Sequence, residues 1–193
     1  MKKAFLLLVI SSSSIITIGQ EISFSIAPTL NSGFHFRFVY GGPNYATKTG
    51  FSTTLDYTFA NQNRIKFGMG FTYQLSRVEV QPPTYLIGRF PHNETINLIS
   101  ASFKSTLPLK NNKYLSFDPL LTFQLKSKTQ QSVDDQTGLG LSFAFGKKFF
   151  MNKKVFLAIE PRIWVHHIIP FIDQNLPLRL TSLGLNMKLG FLY

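Results

Sequence analysis

The stretch Glu21–Tyr40 reads EISFSIAPTLNSGFHFRFVY and alternates between two kinds of residue. Ile22, Phe24, Ile26, Leu30, Phe34, Phe36, Phe38 and Tyr40 occupy even positions, broken only by Pro28 and Ser32. Ser23, Ser25, Ala27, Thr29, Asn31, Gly33, His35 and Arg37 occupy odd positions, followed by Val39. A period of two places successive side chains on opposite sides of an extended strand, so this strand separates two unlike media. A soluble sheet also alternates. Two further facts decide the matter: whether the other strands behave alike, and whether anything remains to cover their apolar faces.

The pattern recurs along the chain. Phe51, Thr53, Leu55, Tyr57 and Phe59 oppose Ser52, Thr54, Asp56 and Thr58. From Arg64 to about Val80, Ile65, Phe67, Met69, Phe71, Tyr73 and Leu75 oppose Lys66, Gly68, Gly70, Thr72, Gln74 and Ser76. A less regular strand surrounds Ile99–Phe103, and further strands cover Tyr114–Lys126, Leu139–Phe145, Val155–Val165 and Thr181–Tyr193. No segment has helical periodicity. The breaks alternate in length: long at 41–50, 81–94, 127–137 and 166–179, short at 60–63, 108–113 and 147–154. Short turns on one side, longer loops on the other and an even strand number are the rhythm of an outer-membrane barrel.

Nothing helical is left to cover the apolar faces, and the polar faces carry Gly33, Gly68, Gly70, Gly138, Gly140, Gly146, Gly184 and Gly190. A water-facing surface has no need of so many glycines. The inside of a barrel of about eight strands does, because it holds only small side chains and a packed polar core. The expected fold is all-β: a closed antiparallel up-and-down transmembrane β-barrel of about eight strands. Pro119 and Pro161 fall inside strands, where a bulge or a missing ladder bond is expected, since a closed barrel has no edge to hold them.

Composition agrees. Charged residues make up 15% of the 193, below the usual quarter, while the hydrophobic fraction is an ordinary 44%. The absence of cysteine excludes disulfides, thiolate metal sites and acylated cysteine. The net charge of +11 raises nucleic acid as a partner, but the cations are scattered singly among apolar strands. Basic turns and a basic lumen facing anionic lipid are the expected source of that charge, with no nucleic acid bound. Lys2 and Lys3, the apolar run Ala4–Ile10 and the small residues Thr17 and Gly19 read as a signal peptide over 1–19, cleaved before Gln20. The barrel then occupies 20–193.

The signal segment, the alternating strands and the aromatic end at Tyr193 resemble the small outer-membrane β-barrel family, which includes OmpA-type, OmpX-type and PorT-like barrels of Bacteroidota. The resemblance is one of pattern over the whole mature chain. It implies residence in the outer membrane with periplasmic termini, contact with outer-membrane lipid and lipopolysaccharide, and insertion by the barrel-assembly machinery. Leu185, Met187, Leu189, Phe191 and Tyr193 are similar to the insertion signal of such barrels, although Lys188 stands where many carry glycine. The implied role is non-enzymatic, structural or adhesive, through external loops and without a cofactor. Other envelope proteins are possible partners, as in a PorT-like component of type IX secretion.

Parity sends Asp56, Lys66, Lys104, Asp118, Glu160, Arg162 and Lys188 inward, most of them in the half nearer the short turns. Buried charges need partners, so these form a structural lumen network in the bland reading and an ion-selective pore or catalytic carboxylate pair in the sharp one. His166 and His167, with Ser182 and Asp173 at rough height, invite comparison with lipid-A-modifying barrel enzymes. The His-x-Ser spacing of the deacylases is missing, and neighbouring histidines on a regular strand point to opposite sides, which suits no shared metal. The bland reading is preferred throughout: no catalytic, cofactor or metal residues are expected.

Overall fold

The computed structural model describes residues 20–34, 44–59, 64–82, 90–125, 133–172 and 178–193. The expected signal segment and the Phe36–Tyr40 end of the opening stretch, expected to project beyond the membrane, lie outside these residues. Eight strands run β1 Glu21–Phe34, β2 Asn44–Thr58, β3 Lys66–Gln81, β4 His92–Pro108, β5 Lys113–Leu125, β6 Gly138–Phe150, β7 Val155–Pro170 and β8 Arg179–Leu192. Each pairs antiparallel with the next, and β8 returns to β1, so the sheet closes into the expected eight-stranded barrel. The closing seam runs from Glu21↔Leu192 to Phe34↔Arg179.

Several strands outrun the hydrophobic pattern. β2 begins at Asn44 and not near Phe51, because Asn44–Thr47 pair with Val78–Gln81 after a register shift between Thr47 and Phe51. β7 continues to Pro170, past the expected loop start at His166. The ladder is a backbone property, so polar residues join it wherever a neighbouring strand offers partners.

Pro119 and Pro161 produce ladder gaps rather than bulges. The β4–β5 pairing skips from Ser102↔Leu120 to Ser105↔Phe117, and β6–β7 skips from Ala144↔Arg162 to Lys147↔Ile159, each with its register carried across. Pro28 leaves the same gap in the seam, between Ile26↔Met187 and Thr29↔Gly184. In each case the ring removes one donor while the strand runs on, held through its other neighbour.

The two faces are those expected from parity. Phe24, Leu55, Phe71, Phe103, Phe143, Ile159 and Met187 are exposed outside, while Ser25, Asp56, Thr72, Ser100, Asp118, Ser142, Glu160 and Lys188 are buried inside. An exposed apolar wall carried by every strand is far more than a water-soluble monomer shows. Its natural solvent is hydrocarbon, in which a closed barrel satisfies its own backbone.

The lumen departs from the expected polar filling of small side chains. Val78, Val80, Ile96, Leu98, Val133, Leu178 and Leu180 form an apolar cluster at the long-connection end, with Tyr45 packed against it. Two rings, Tyr114 and Phe156, fill the opposite end. Glycine makes that possible: a Cβ on Gly146 would collide with the Cζ–Oη end of Tyr114, and one on Gly190 with the Cζ edge of the Phe156 ring. The inward glycines therefore serve large neighbours across the wall rather than a uniformly small interior.

Gly146→Val should accordingly destabilise the barrel by about 1–3 kcal/mol through overpacking. The fraction of heat-modifiable protein on unboiled gels and the urea midpoint in lipid vesicles should both fall. Combining it with Tyr114→Ala should recover part of the loss.

Candidate functional site

The densest polar chemistry lies inside the barrel, in three layers. The layer nearest the short turns holds an alternating chain of charges. Lys104 Nζ lies 2.6 Å from Asp56 Oδ2, and Lys188 Nζ lies 2.9 Å from the same oxygen. Lys188 Nζ also reaches Glu160 Oε2 at 2.9 Å. Arg162 donates through Nε to Glu160 Oε1 at 2.9 Å and through Nη1 to Asp118. The six groups come from β2, β4, β5, β7 and β8, so the chain ties together walls that are not neighbours in the sheet.

Neutral donors add to two of the carboxylates, Glu160 and Asp118. Tyr114 OH donates to Glu160 Oε2 at 2.7 Å and Asn186 Nδ2 to Glu160 Oε1 at 3.0 Å. Ser116 Oγ donates to Asp118 Oδ1 at 2.6 Å and Ser142 Oγ to Asp118 Oδ2 at 3.2 Å. Charges in a low-dielectric interior are tolerable only when paired and hydrogen-bonded in this way.

Six of the seven sequence-selected lumen charges thus meet: Glu160 pairs with Lys188 of the adjacent strand and with Arg162 two residues along its own, as sequence order suggests, but the other partnerships differ. Asp56 pairs across the lumen with Lys104 and Lys188, not with its hairpin neighbour Lys66. Asp118 pairs with Arg162 rather than with Lys104. Lys66 is half-buried at the mouth and joins no ion pair among the described residues. The expected basic lumen is corrected as well: three cations and three anions balance in this chain. Tyr114 was missed because it opens its strand beside a turn, where parity alone gives no hint of a partner. Lys148 was assigned to a turn but extends β6 and binds Glu21 at the mouth.

The middle layer is uncharged. Asn31 Oδ1 accepts from Ser182 Oγ at 2.7 Å and Ser76 Oγ at 3.1 Å. Gln74 Nε2 donates to Ser182 Oγ at 2.6 Å and Ser76 Oγ at 2.7 Å. His166 lies between Gln74 Oε1, 3.3 Å from its Nε2, and Thr122 Oγ1, 3.2 Å from its Nδ1. That pair of partners fits the Nε2–H tautomer, which donates to the amide and accepts from the hydroxyl.

Both histidines are buried, which corrects the expectation that they point to opposite sides. The β6–β7 register shifts between Leu139 and Leu141, and His167 takes a positive φ of 58° in the resulting bulge. A left-handed residue breaks the strict alternation of the strand. Ser182 is separated from His166 by the Gln74 amide, and Asp173 lies outside the described residues. No group of three or more His, Asp or Glu is placed to hold a metal among the described residues.

The third layer closes the long-connection end. Residues 133–137 turn into the mouth, where Val133 joins the apolar cluster. Val133 N–H donates to Glu94 Oε2 at 3.1 Å, and Leu178 N–H to Asp134 Oδ2 at 2.7 Å. Gln136 holds the start of β8, accepting from Leu180 N–H at 2.9 Å and donating to Leu178 O at 3.0 Å. These contacts latch the segment over the mouth of the barrel.

The outward face of β8 carries Leu185, Met187, Leu189, Phe191 and Tyr193, all exposed. Lys188, set among them in sequence, is only 3% exposed and points the opposite way. It ties β8 to Asp56 of β2 and Glu160 of β7, on either side of the seam strand β1.

A closed eight-stranded barrel, apolar outside and polar inside, defines the class of small transmembrane β-barrels. Known structures of that fold superpose on this chain. Neisserial surface protein A matches at 15% identity and a TM-score of 0.52, covering 88% of this chain and 95% of that one. OprG from Pseudomonas aeruginosa matches at 11% identity and a TM-score of 0.55, covering 91% and 96%. The outer membrane protein AlkL matches at 12% identity and a TM-score of 0.51, covering 92% and 90%. No protein-family model and no curated protein matches the chain.

Arg162→Met should destabilise the barrel by about 3–5 kcal/mol, because it strands the buried Asp118 carboxylate. The double variant Asp118→Asn/Arg162→Met should recover most of that loss. Urea unfolding in lipid vesicles, followed by Trp164 fluorescence, distinguishes the two.

Proposed function

We propose that this chain is an outer-membrane protein that works as a closed, non-enzymatic anchor. Its termini and short turns face the periplasm, and its long connections serve a structural or adhesive role at the cell surface. The observation that carries this reading is the filled lumen: a charge chain, an amide–hydroxyl belt and a latched apolar cluster occupy it from end to end. A barrel of about eight strands is normally filled by its own side chains, and here the filling is cross-linked by hydrogen bonds in every layer. A conducting pore or a lumen reaction would need those contacts broken. Likeness to solved outer-membrane barrels supports the location, and the lysine-led apolar segment at residues 1–19 supports export.

The non-enzymatic reading draws on His166. Its ring contacts Thr122 and Gln74, is fully buried, and has no direct contact with Ser182. A nucleophile–base pair requires that contact together with access to substrate. A role within a larger envelope assembly, such as a PorT-like one, would use the same closed barrel, and co-purification of envelope partners would favour it.

Two measurements test the reading. Purified protein in planar bilayers should give no conductance steps, and regular steps would replace the anchor with a pore. Trypsin added to intact cells should cut the long connections, where Arg89, Lys126 and Lys128 lie, and leave the barrel whole. Cleavage seen only after lysis would reverse the orientation.

A further inference from the structure

The chain's positive charge is scattered along the sequence, but the topology gathers much of it at one end. The turn from β2 to β3 carries Arg64 and Lys66. The turn from β4 to β5 carries Lys110 and Lys113, both exposed. The turn from β6 to β7 is flanked by Lys147 and Lys148 and contains Lys153 and Lys154. Strand direction puts all three turns at the same end of the barrel. Against these cations stands one carboxylate side chain, Glu21, which binds Lys148. The remaining cations of this rim join no ion pair among the described residues.

The opposite end differs. There Lys48 lies 2.5 Å from Glu79, His92 contacts Glu94, and Asp134 accepts from the N–H of Leu178, the residue before Arg179. The charges of the lumen cancel. Among the described residues, most of the unmatched cations therefore lie on the short-turn rim.

Two features say what meets this rim. First, the β4–β5 and β6–β7 turns are tight and barely leave the barrel wall. Met151 N–H bonds Val155 O at 2.9 Å, and Leu109 N–H bonds Lys113 O at 2.8 Å. At about 3.3 Å per residue, such turns keep their cations within headgroup depth of the apolar band. Second, the same turns expose apolar side chains: Ile65, Leu109, Phe149, Phe150 and Met151. Lys147 Nζ lies 5.1 Å from the centre of the Phe149 ring. Aromatic and aliphatic groups interleaved with lysine belong at a membrane interface, where the stem sits in hydrocarbon and the ammonium reaches phosphate. A soluble acidic partner would have to dock against a rim flush with the bilayer.

We propose that the short-turn rim is a binding surface for anionic phospholipid headgroups, of the phosphatidylglycerol type, in the leaflet that surrounds this end. On the orientation argued above that is the periplasmic leaflet. The contact would anchor the barrel vertically and enrich anionic lipid in its first shell, by charge attraction that salt screens.

The test is lipid selectivity measured with the full chain in phosphatidylcholine bilayers, using spin-labelled phosphatidylglycerol and phosphatidylcholine as probes. Wild type should enrich the anionic probe in the immobilised shell by about fivefold, the attraction of a single well-placed cation. The enrichment should fall as salt rises. Lys147→Gln/Lys153→Gln/Lys154→Gln should bring it close to parity, whereas Lys48→Gln/Arg77→Gln at the far end should leave it unchanged. Equal binding of both probes by wild type overturns the proposal. So does loss of selectivity only in the far-end variant, which would move the anionic ligand to the lipopolysaccharide side. Heat-modifiable mobility of every sample establishes that the barrel itself is intact, and trypsin in intact cells reads the orientation independently.

Discussion

Lys188 holds the position on which the rest of the structure depends. Its strand closes the barrel, and its ammonium lies between Asp56 and Glu160, at 2.9 Å from each. A buried ammonium needs compensation, and here two strands on opposite sides of the seam supply it. The alternating chain from Lys104 to Asp118 extends that demand to β4 and β5. Each ion is satisfied only if every contributing strand is in register, so closure and charge pairing require one another.

The same coupling explains the layout of the lumen. Charges occupy the short-turn half, where tight hairpins fix strand positions. Amides and hydroxyls fill the middle, where Gln74, Asn31 and Ser182 interlock. Apolar side chains take the other end, beneath the inward-turning segment that carries Val133 and Gln136. There Glu94 meets the Val133 N–H and Asp134 the Leu178 N–H, so backbone donors entering an apolar site find acceptors. Stabilising chemistry is thus spread along the whole lumen, with the outside left to lipid.

Strand irregularities also follow a physical rule. Three prolines leave gaps without shifting register, because each removes one donor while the strand continues. The register shifts instead near His167, where a left-handed residue breaks alternation, and between Thr47 and Phe51. Regular alternation predicted opposed histidines, and the bulge turned both inward.

Period-two alternation needs no tertiary information, so the sequence by itself determined the strand count, the identity of the two faces and the inward placement of Asp56, Lys104, Asp118, Glu160, Arg162 and Lys188. Alternation is local, and the pleat enforces it residue by residue. The partners of Asp56 were decided only by the closed sheet, because barrel curvature brings β2 against β4 and β8 across the lumen, a distance that sequence spacing does not encode. The apolar latch needed the same information: Val78, Ile96, Leu180 and Val133 come from three strands and one connection. The gathering of scattered lysines into a single basic rim is likewise a product of up-and-down topology, which sends every short turn to the same end.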